Sequence, residues 1–205
     1  MRAPIFSLIF SLVVVAATAC GGHGPITNLQ LQWTGAGRPP TANPNVAQAL
    51  AAVPVALSVV DERTDPSAVG RYEDDGFIVR TSMNVAQYTA AQIGEMLRSA
   101  GAQFSPQPMA GIEIGLVAYD VVEGGSFQGT ARLRVTVKRG TDPVGWTKLF
   151  EGRSTRWGRT HNPENFNEAL SNALHEATGK LLQDPDFATA LGGQGVQTMP
   201  PSPAR

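Results

Sequence analysis

The side chains that could bind a metal ion or act as a base lack the spacing that such chemistry needs. His175 and Glu176 begin as the zinc-binding helix motif of metalloproteases does, but that motif requires a second histidine where this chain has Gly179. Of the other two histidines, His23 lies in the predicted tether and His161 lies just before the last predicted helix. No nucleophile elbow and no phosphate-binding glycine loop occurs. We therefore expect no metal ion and no cofactor, and we interpret His175 as part of a solvated helix face.

Acidic residues cluster in two places, neither of which has the pattern of a dedicated site. Asp61, Arg63 and Asp65 follow an apolar segment directly. An arginine beside a carboxylate favours the charged form, which makes a poor proton donor. We interpret these three residues as a salt bridge that pins a loop, with an interaction site as the alternative. Residues 73–75 (Glu-Asp-Asp) lack the alternating ligands of a calcium loop and predict an exposed acidic turn.

Basic side chains alternate along one predicted strand. Arg132, Arg134 and Lys138 point away from the apolar residues between them, as expected where one face of a sheet is solvated. They predict either a basic face toward an acidic partner or ordinary solvated charge. The formal net charge of the chain is −1, which gives no overall attraction to nucleic acid. We expect no nucleic-acid partner.

The only cysteine, Cys20, lies where a lipid anchor would be attached. Arg2, an apolar run over residues 5–17 and two small residues precede it, which is the order of a secretory signal peptide. With cysteine at the first mature position, this segment resembles a bacterial lipoprotein signal, although Ala17 stands where leucine is usual. The apolar run is shorter than the roughly 20 residues of a spanning helix. The sequence therefore predicts an acylated Cys20 and attachment to a membrane, with a cleaved, secreted protein as the alternative.

Composition divides the chain into four parts. Glycine and proline concentrate at the two ends, whereas the centre has the apolar content of a globular protein. We expect a signal peptide at 1–19, a lipidated tether at 20–45, a single periplasmic domain at 46–191 and a disordered tail at 192–205. Within the tether, residues 29–33 favour a short strand.

The central region predicts an α+β fold. We expect a polar loop over residues 61–76 and a mainly antiparallel sheet, a meander of three long strands plus N-terminal strands, with two helices packed on one face. The predicted elements are strands 54–60 and 77–81, helix 84–101, strands 112–122, 131–137 and 146–157, and a helix from the cap Asn162 to Asp184.

These segments together resemble the YajG family of bacterial lipoproteins. The resemblance rests on the signal with Cys20, on residues 55–65 with their Asp-Glu-Arg-Thr-Asp end, on the helix and strand at 84–122, and on residues 165–191. This chain departs from the family in the first residue of its lipobox, in the loop at 71–76 and in its Pro/Gly-rich tail. The resemblance implies a lipoprotein on the periplasmic side of the outer membrane. It supplies no catalytic residue, because the family is essentially uncharacterised.

Two classes of function remain open from the sequence. The first is a non-enzymatic module that binds an envelope protein or a cell-wall component, and this is the function we expect. The alternative is a glycan hydrolase or a small-molecule carrier whose site does not show in the sequence. A hydrolase would need two carboxylates about 5–10 Å apart in a cleft, and a carrier an apolar pocket of several hundred cubic ångströms.

Overall fold

The computed structural model describes residues 25–34, 37–140, 145–158 and 160–192. They form a mixed α+β fold, as the sequence predicts, with six strands in one sheet and four helices. The elements are α1 (Pro44–Ala52), β1 (Val55–Asp61), β2 (Ala68–Tyr72), β3 (Ile78–Arg80), α2 (Val85–Ser99), β4 (Ala110–Glu123), β5 (Phe127–Arg139), β6 (Trp146–Arg156), α3 (Pro163–Gln183) and α4 (Pro185–Ala190). The predicted signal peptide, Cys20 and positions 193–205 of the predicted tail lie outside the described residues.

The strand β4 lies at the centre of the sheet. Along one edge it pairs antiparallel with β5, which pairs antiparallel with β6. Its other edge is shared, because β1 pairs in parallel with residues 110–116 and β2 pairs in parallel with residues 121–123. The short β3 pairs antiparallel with β2. The sheet is thus mostly antiparallel, but it contains two parallel pairings that the sequence pattern did not predict.

The predicted polar loop over residues 61–76 is wrong in its centre, where the chain forms β2. Val69 and Tyr72 are buried there, and Gly70 lies against the ring of Phe166. A strand of five residues with a glycine in the middle carries too little alternation to stand out from the turns around it. The strand returns the chain to the edge of β4 that β1 has just left.

The N-terminal part of the fold also differs from the prediction. Helix α1 begins inside the predicted tether, with Asn43 as its cap, and it buries Val46 and Leu50. Residues 29–33 form no strand, although Leu29 and Leu31 are buried. The apolar residues of this segment pack against the core individually rather than through a ladder of backbone hydrogen bonds.

Helix α3 packs unusually close to the sheet. A Cβ atom added at Gly152 of β6 would overlap the carbonyl oxygen of Ala173, and one added at Gly129 of β5 would overlap that of Ala169. The side of α3 that faces these glycines carries the small side chains of Ala169, Ala173 and Ala177, all fully buried. Glycine in the strands and alanine on the helix together bring the two backbones into direct contact.

We predict that Gly152→Ala destabilises the domain by about 1–3 kcal/mol, because the added methyl group must push α3 away from β6. Gly111 is a matched control in β4, since a Cβ there meets no atom within 4 Å. The free energy of unfolding, measured by chemical denaturation, should fall for Gly152→Ala and stay nearly unchanged for Gly111→Ala. Equal effects of the two substitutions would contradict the close packing of α3.

Candidate functional site

Helix α3 carries a stripe of polar side chains that hold the N-terminal segment. We call residues 26–34 and 37–43 the strap. Asn167, Ser171, His175 and Gln183 lie at intervals of one or two turns along α3 and hydrogen bond to the strap backbone. Their partners, in order, are the amide of Gln32, the amide of Thr34, the carbonyl of Arg38 at 2.9 Å and the carbonyl of Thr41. The strap therefore runs alongside α3 from its first turns to its last.

The strap corrects two predictions. His175 belongs to a stripe that binds the chain itself, so this helix face is not simply solvated. The predicted tether at 20–45 is also part of the fold over most of its length. Ile26 is buried, and its amide donates to the hydroxyl of Tyr72 at 2.7 Å, next to β2. The sequence places only the five residues 21–25 between Cys20 and this first contact.

Arg63 lies in the gap that β1 and β2 leave along the edge of β4. Its Nε and Nη2 atoms donate to the two carboxylate oxygens of Asp61 at 2.8 and 2.7 Å. The remaining donors bind the carbonyl oxygens of Ala68 at 2.6 Å, Pro66 at 2.5 Å and Tyr119 at 3.3 Å. Only 7% of the Arg63 side chain is exposed. All five guanidinium N–H groups are used internally, so none is left for a ligand.

Asp65 fixes the rest of the same loop. One carboxylate oxygen accepts hydrogen bonds from the amide and the hydroxyl of Ser67, and the other forms an ion pair with Arg80 at 2.6 Å. The hydrogen bond from the Ser67 hydroxyl, followed by that from Arg80, lowers the pKa of Asp65 to about 2. The three acidic and basic residues predicted here act on the loop between β1 and β2 itself.

The predicted basic face carries a carboxylate beside each cation. Arg132, Arg134 and Lys138 form ion pairs at 2.5–2.7 Å with partners that are, in order, Glu151, Glu62 and Glu113. The three partners come from β6, from the loop after β1 and from β4, and they lie 19, 72 and 25 residues away in sequence. The face is therefore a ladder of alternating charge, and the three residues do not make it a positive surface.

The sequence pattern did not predict that the carboxyl group of Glu123 is buried. Glu123, at the end of β4, is 4% exposed, and its Oε1 accepts a hydrogen bond from the amide of His161 at 2.8 Å. Burial raises the pKa of this carboxyl above its usual value. Shifted carboxyl groups are frequent in active sites. Glu123, however, lines none of four surface cavities in the described part of the chain.

A groove of about 630 Å³ lies between helix α2 and the outer edge of β1. Small side chains of α2 form one wall, and β1 with the segment after α2 forms the other. The lining includes Leu57, Ala90, Ala91, Gly94 and Phe104. A smaller cavity of about 290 Å³ lies where the strap crosses α2 and α3, next to Trp33.

The structure is that of a mixed α+β domain with an N-terminal strap along its last long helix. Residues 40–192 match the sequence profile of a family of uncharacterised lipoproteins. The chain belongs to this family, the YajG family, as its sequence predicted. Membership indicates a membrane-anchored location in the cell envelope.

A solved structure shares the fold at low sequence identity. A Xanthomonas campestris protein, XCC0632, superposes with a TM-score of 0.54 at 13% identity, over 84% of this chain and 99% of that one. A predicted lipoprotein from Caulobacter crescentus gives 0.45 at 16% identity, over 73% of this chain and 97% of that one. At 13% identity the likeness to XCC0632 shows a shared fold and gives no information about function. No curated protein matches the chain.

The described residues contain neither a candidate membrane span nor a candidate metal site. None of the helices there combines the length and the apolar character needed to cross a bilayer. No group of three or more histidine, cysteine, aspartate or glutamate side chains in that part of the chain is arranged to hold a metal ion.

We predict that Arg63→Ala destabilises the domain by about 3 kcal/mol or more, because it leaves Asp61 without its partner in a largely buried site. Arg98→Ala is the control, since its ion pair with Glu95 is exposed on both sides and should contribute less than about 1 kcal/mol. Thermal and chemical unfolding of the two variants measure the difference. Equal losses of stability would contradict the structural role of Arg63.

Asp65 should make stability fall in acid. Its pKa in the folded state, about 2, lies below the ordinary value of 3.8. The stabilisation is therefore present above pH 3.8 and is lost as the pH falls through about 2. Titration of this carboxyl by NMR should show a midpoint near 2, and Ser67→Ala should move it upward. A midpoint near 3.8 in the native protein would contradict the loop network.

Proposed function

We propose that this chain is a lipid-anchored, non-enzymatic binding protein of the bacterial envelope, attached through Cys20 to the outer membrane and facing the periplasm. The strap is the observation that carries the proposal. With five residues between Cys20 and Ile26, an extended chain spans roughly 20 Å, so the anchor holds the domain close to the bilayer. Such a short connection suits a protein that presents a surface at the membrane.

The anchor itself follows from the family and from the signal segment. A diacylglyceryl group on Cys20 brings two acyl chains, which hold a protein firmly where a single chain would not. Gly21 follows the cysteine in place of the aspartate that retains some lipoproteins at the inner membrane. This choice favours the outer membrane.

The chemistry of the described surface favours binding over catalysis. A glycan hydrolase would need two carboxylates converging in a cleft. Each of four surface cavities in the described chain is lined by a single one: Glu95 in two of them, and Asp61 and Glu176 in the others. Asp61 is also committed to Arg63. A carrier would need an enclosed apolar pocket, whereas the groove beside α2 is open along a strand edge.

Crosslinking in the native envelope tests the proposal. The wild-type chain should yield a dominant crosslinked partner whose amount saturates with the amount of this chain. Cys20→Ala serves as the control, because the unlipidated domain loses its position at the membrane, and capture of the partner should fall at least tenfold. The absence of any saturable partner, or cleavage of purified cell-wall glycan by the purified domain, would contradict a non-enzymatic binding role.

A further inference from the structure

Three strands of the sheet have an outer edge, and two of these edges are protected. An open strand edge exposes backbone donors and acceptors to another chain, and proteins normally cover or shorten it. The edge strand β6 is covered by α3, because Glu176 accepts from the amide of Arg153 at 2.9 Å and Lys180 donates to the carbonyl of Glu151 at 2.8 Å. The edge strand β3 has only three residues, and the strap donates to its last carbonyl through the amide of Leu29.

Within residues 25–34, 37–140, 145–158 and 160–192, the outer edge of β1 has a backbone partner only at its first residue. Val55 exchanges hydrogen bonds with residues 103–105, at 2.9 and 3.0 Å, on the side away from β4. Backbone groups alternate between the two sides of a strand, so those of Leu57 and Val59 point to the same outer side. No hydrogen bond from the described residues reaches these backbone groups. Residues 103–105 thus occupy the beginning of an edge whose continuation has no backbone partner among the described residues.

The surroundings of this edge are apolar and electrically balanced. The groove beside it is walled by Ala90, Ala91 and Gly94, which leave room for incoming side chains. The two charged residues at the groove, Glu95 and Arg98, are paired with each other at 2.6 Å. On the solvent side of β1, Val60 is 60% exposed although it is apolar.

We propose that the β1 edge and its groove bind an extended segment of a partner protein, which adds a strand next to Leu57 and Val59. This inference rests on the proposed binding function and identifies its surface. Donors and acceptors that recur along the strand at roughly 6.6 Å match another extended backbone, whereas a lipid chain offers no such groups. Alternate side chains of the segment enter the groove, which admits apolar residues and provides the selectivity.

A photo-reactive residue at Ser58, in the lipidated full-length chain within the native envelope, tests this surface. Ser58 is exposed and lies between the two open backbone positions, and Gln128 is an exposed control position on β5. We expect one dominant adduct from position 58, at least fivefold above that from position 128. Sequencing of the adduct should show crosslinks to one short segment of a different protein.

Two substitutions then test the backbone geometry. Val59→Pro removes an amide that has no partner in the described part of the chain and places a ring where the incoming carbonyl would lie, so the adduct should fall at least fivefold. Val60→Lys changes only an exposed side chain and should also weaken the adduct, because an edge lysine opposes strand addition. Thermal melting of both variants confirms that the domain is folded.

Three results would overturn the proposal: an adduct no stronger at position 58 than at 128, an adduct that both variants leave unchanged, or an adduct formed with a second copy of this chain. A partner that depends on Cys20 but crosslinks elsewhere would leave the binding function intact and refute the β1 edge alone.

Discussion

The contact between α3 and the backbones of β5 and β6 is the constraint on which the rest of the structure depends. Gly129 and Gly152 allow the helix to approach until its own carbonyl groups lie against the strands. These contacts fix the distance of α3 from the sheet and the side of the helix that faces it, because any larger side chain at either glycine would separate the two layers. The side of α3 that faces the sheet carries its alanines, and the polar stripe lies on the side away from the sheet.

The orientation of α3 also determines where the strap can bind, because it points the polar stripe of the helix away from the sheet. Asn167, Ser171 and His175 lie above the buried alanines, where they hydrogen bond to a chain that forms no strand of its own. Backbone groups at the surface of a fold need partners, and the stripe supplies them for a segment that lacks a ladder. The sheet, α3 and the strap are stacked in this order, and the strap begins six positions after Cys20, the predicted lipid site. Under the proposed acylation of Cys20, the packing of the core would also set how near to the membrane the domain lies.

Strong periodicity made the main elements predictable, whereas contacts between distant segments were not. The long alternating strands and the capped helices α2 and α3 followed from local pattern, and the family followed from the resemblance of whole segments. The strap did not, because polar residues four apart on α3 are also the pattern of a solvated face. The ion pairs of Arg134 and Arg132 were likewise hidden, since their carboxylate partners stand in other elements. Whether an edge of β1 is open depends on which strands pair with it, and the local sequence pattern does not predict this pairing.

Amide hydrogen exchange of the purified domain, resolved residue by residue, tests the strap and the β1 edge in one experiment. We predict slow exchange for Gln32 and Thr34, whose amides are held by α3, and fast exchange for Leu57 and Val59 within an otherwise protected sheet. Exchange of Gln32 and Thr34 at the rate of an unfolded peptide would show that the strap does not hold the domain near its anchor. Protection of Leu57 and Val59 in the free protein would show that the β1 edge is already occupied.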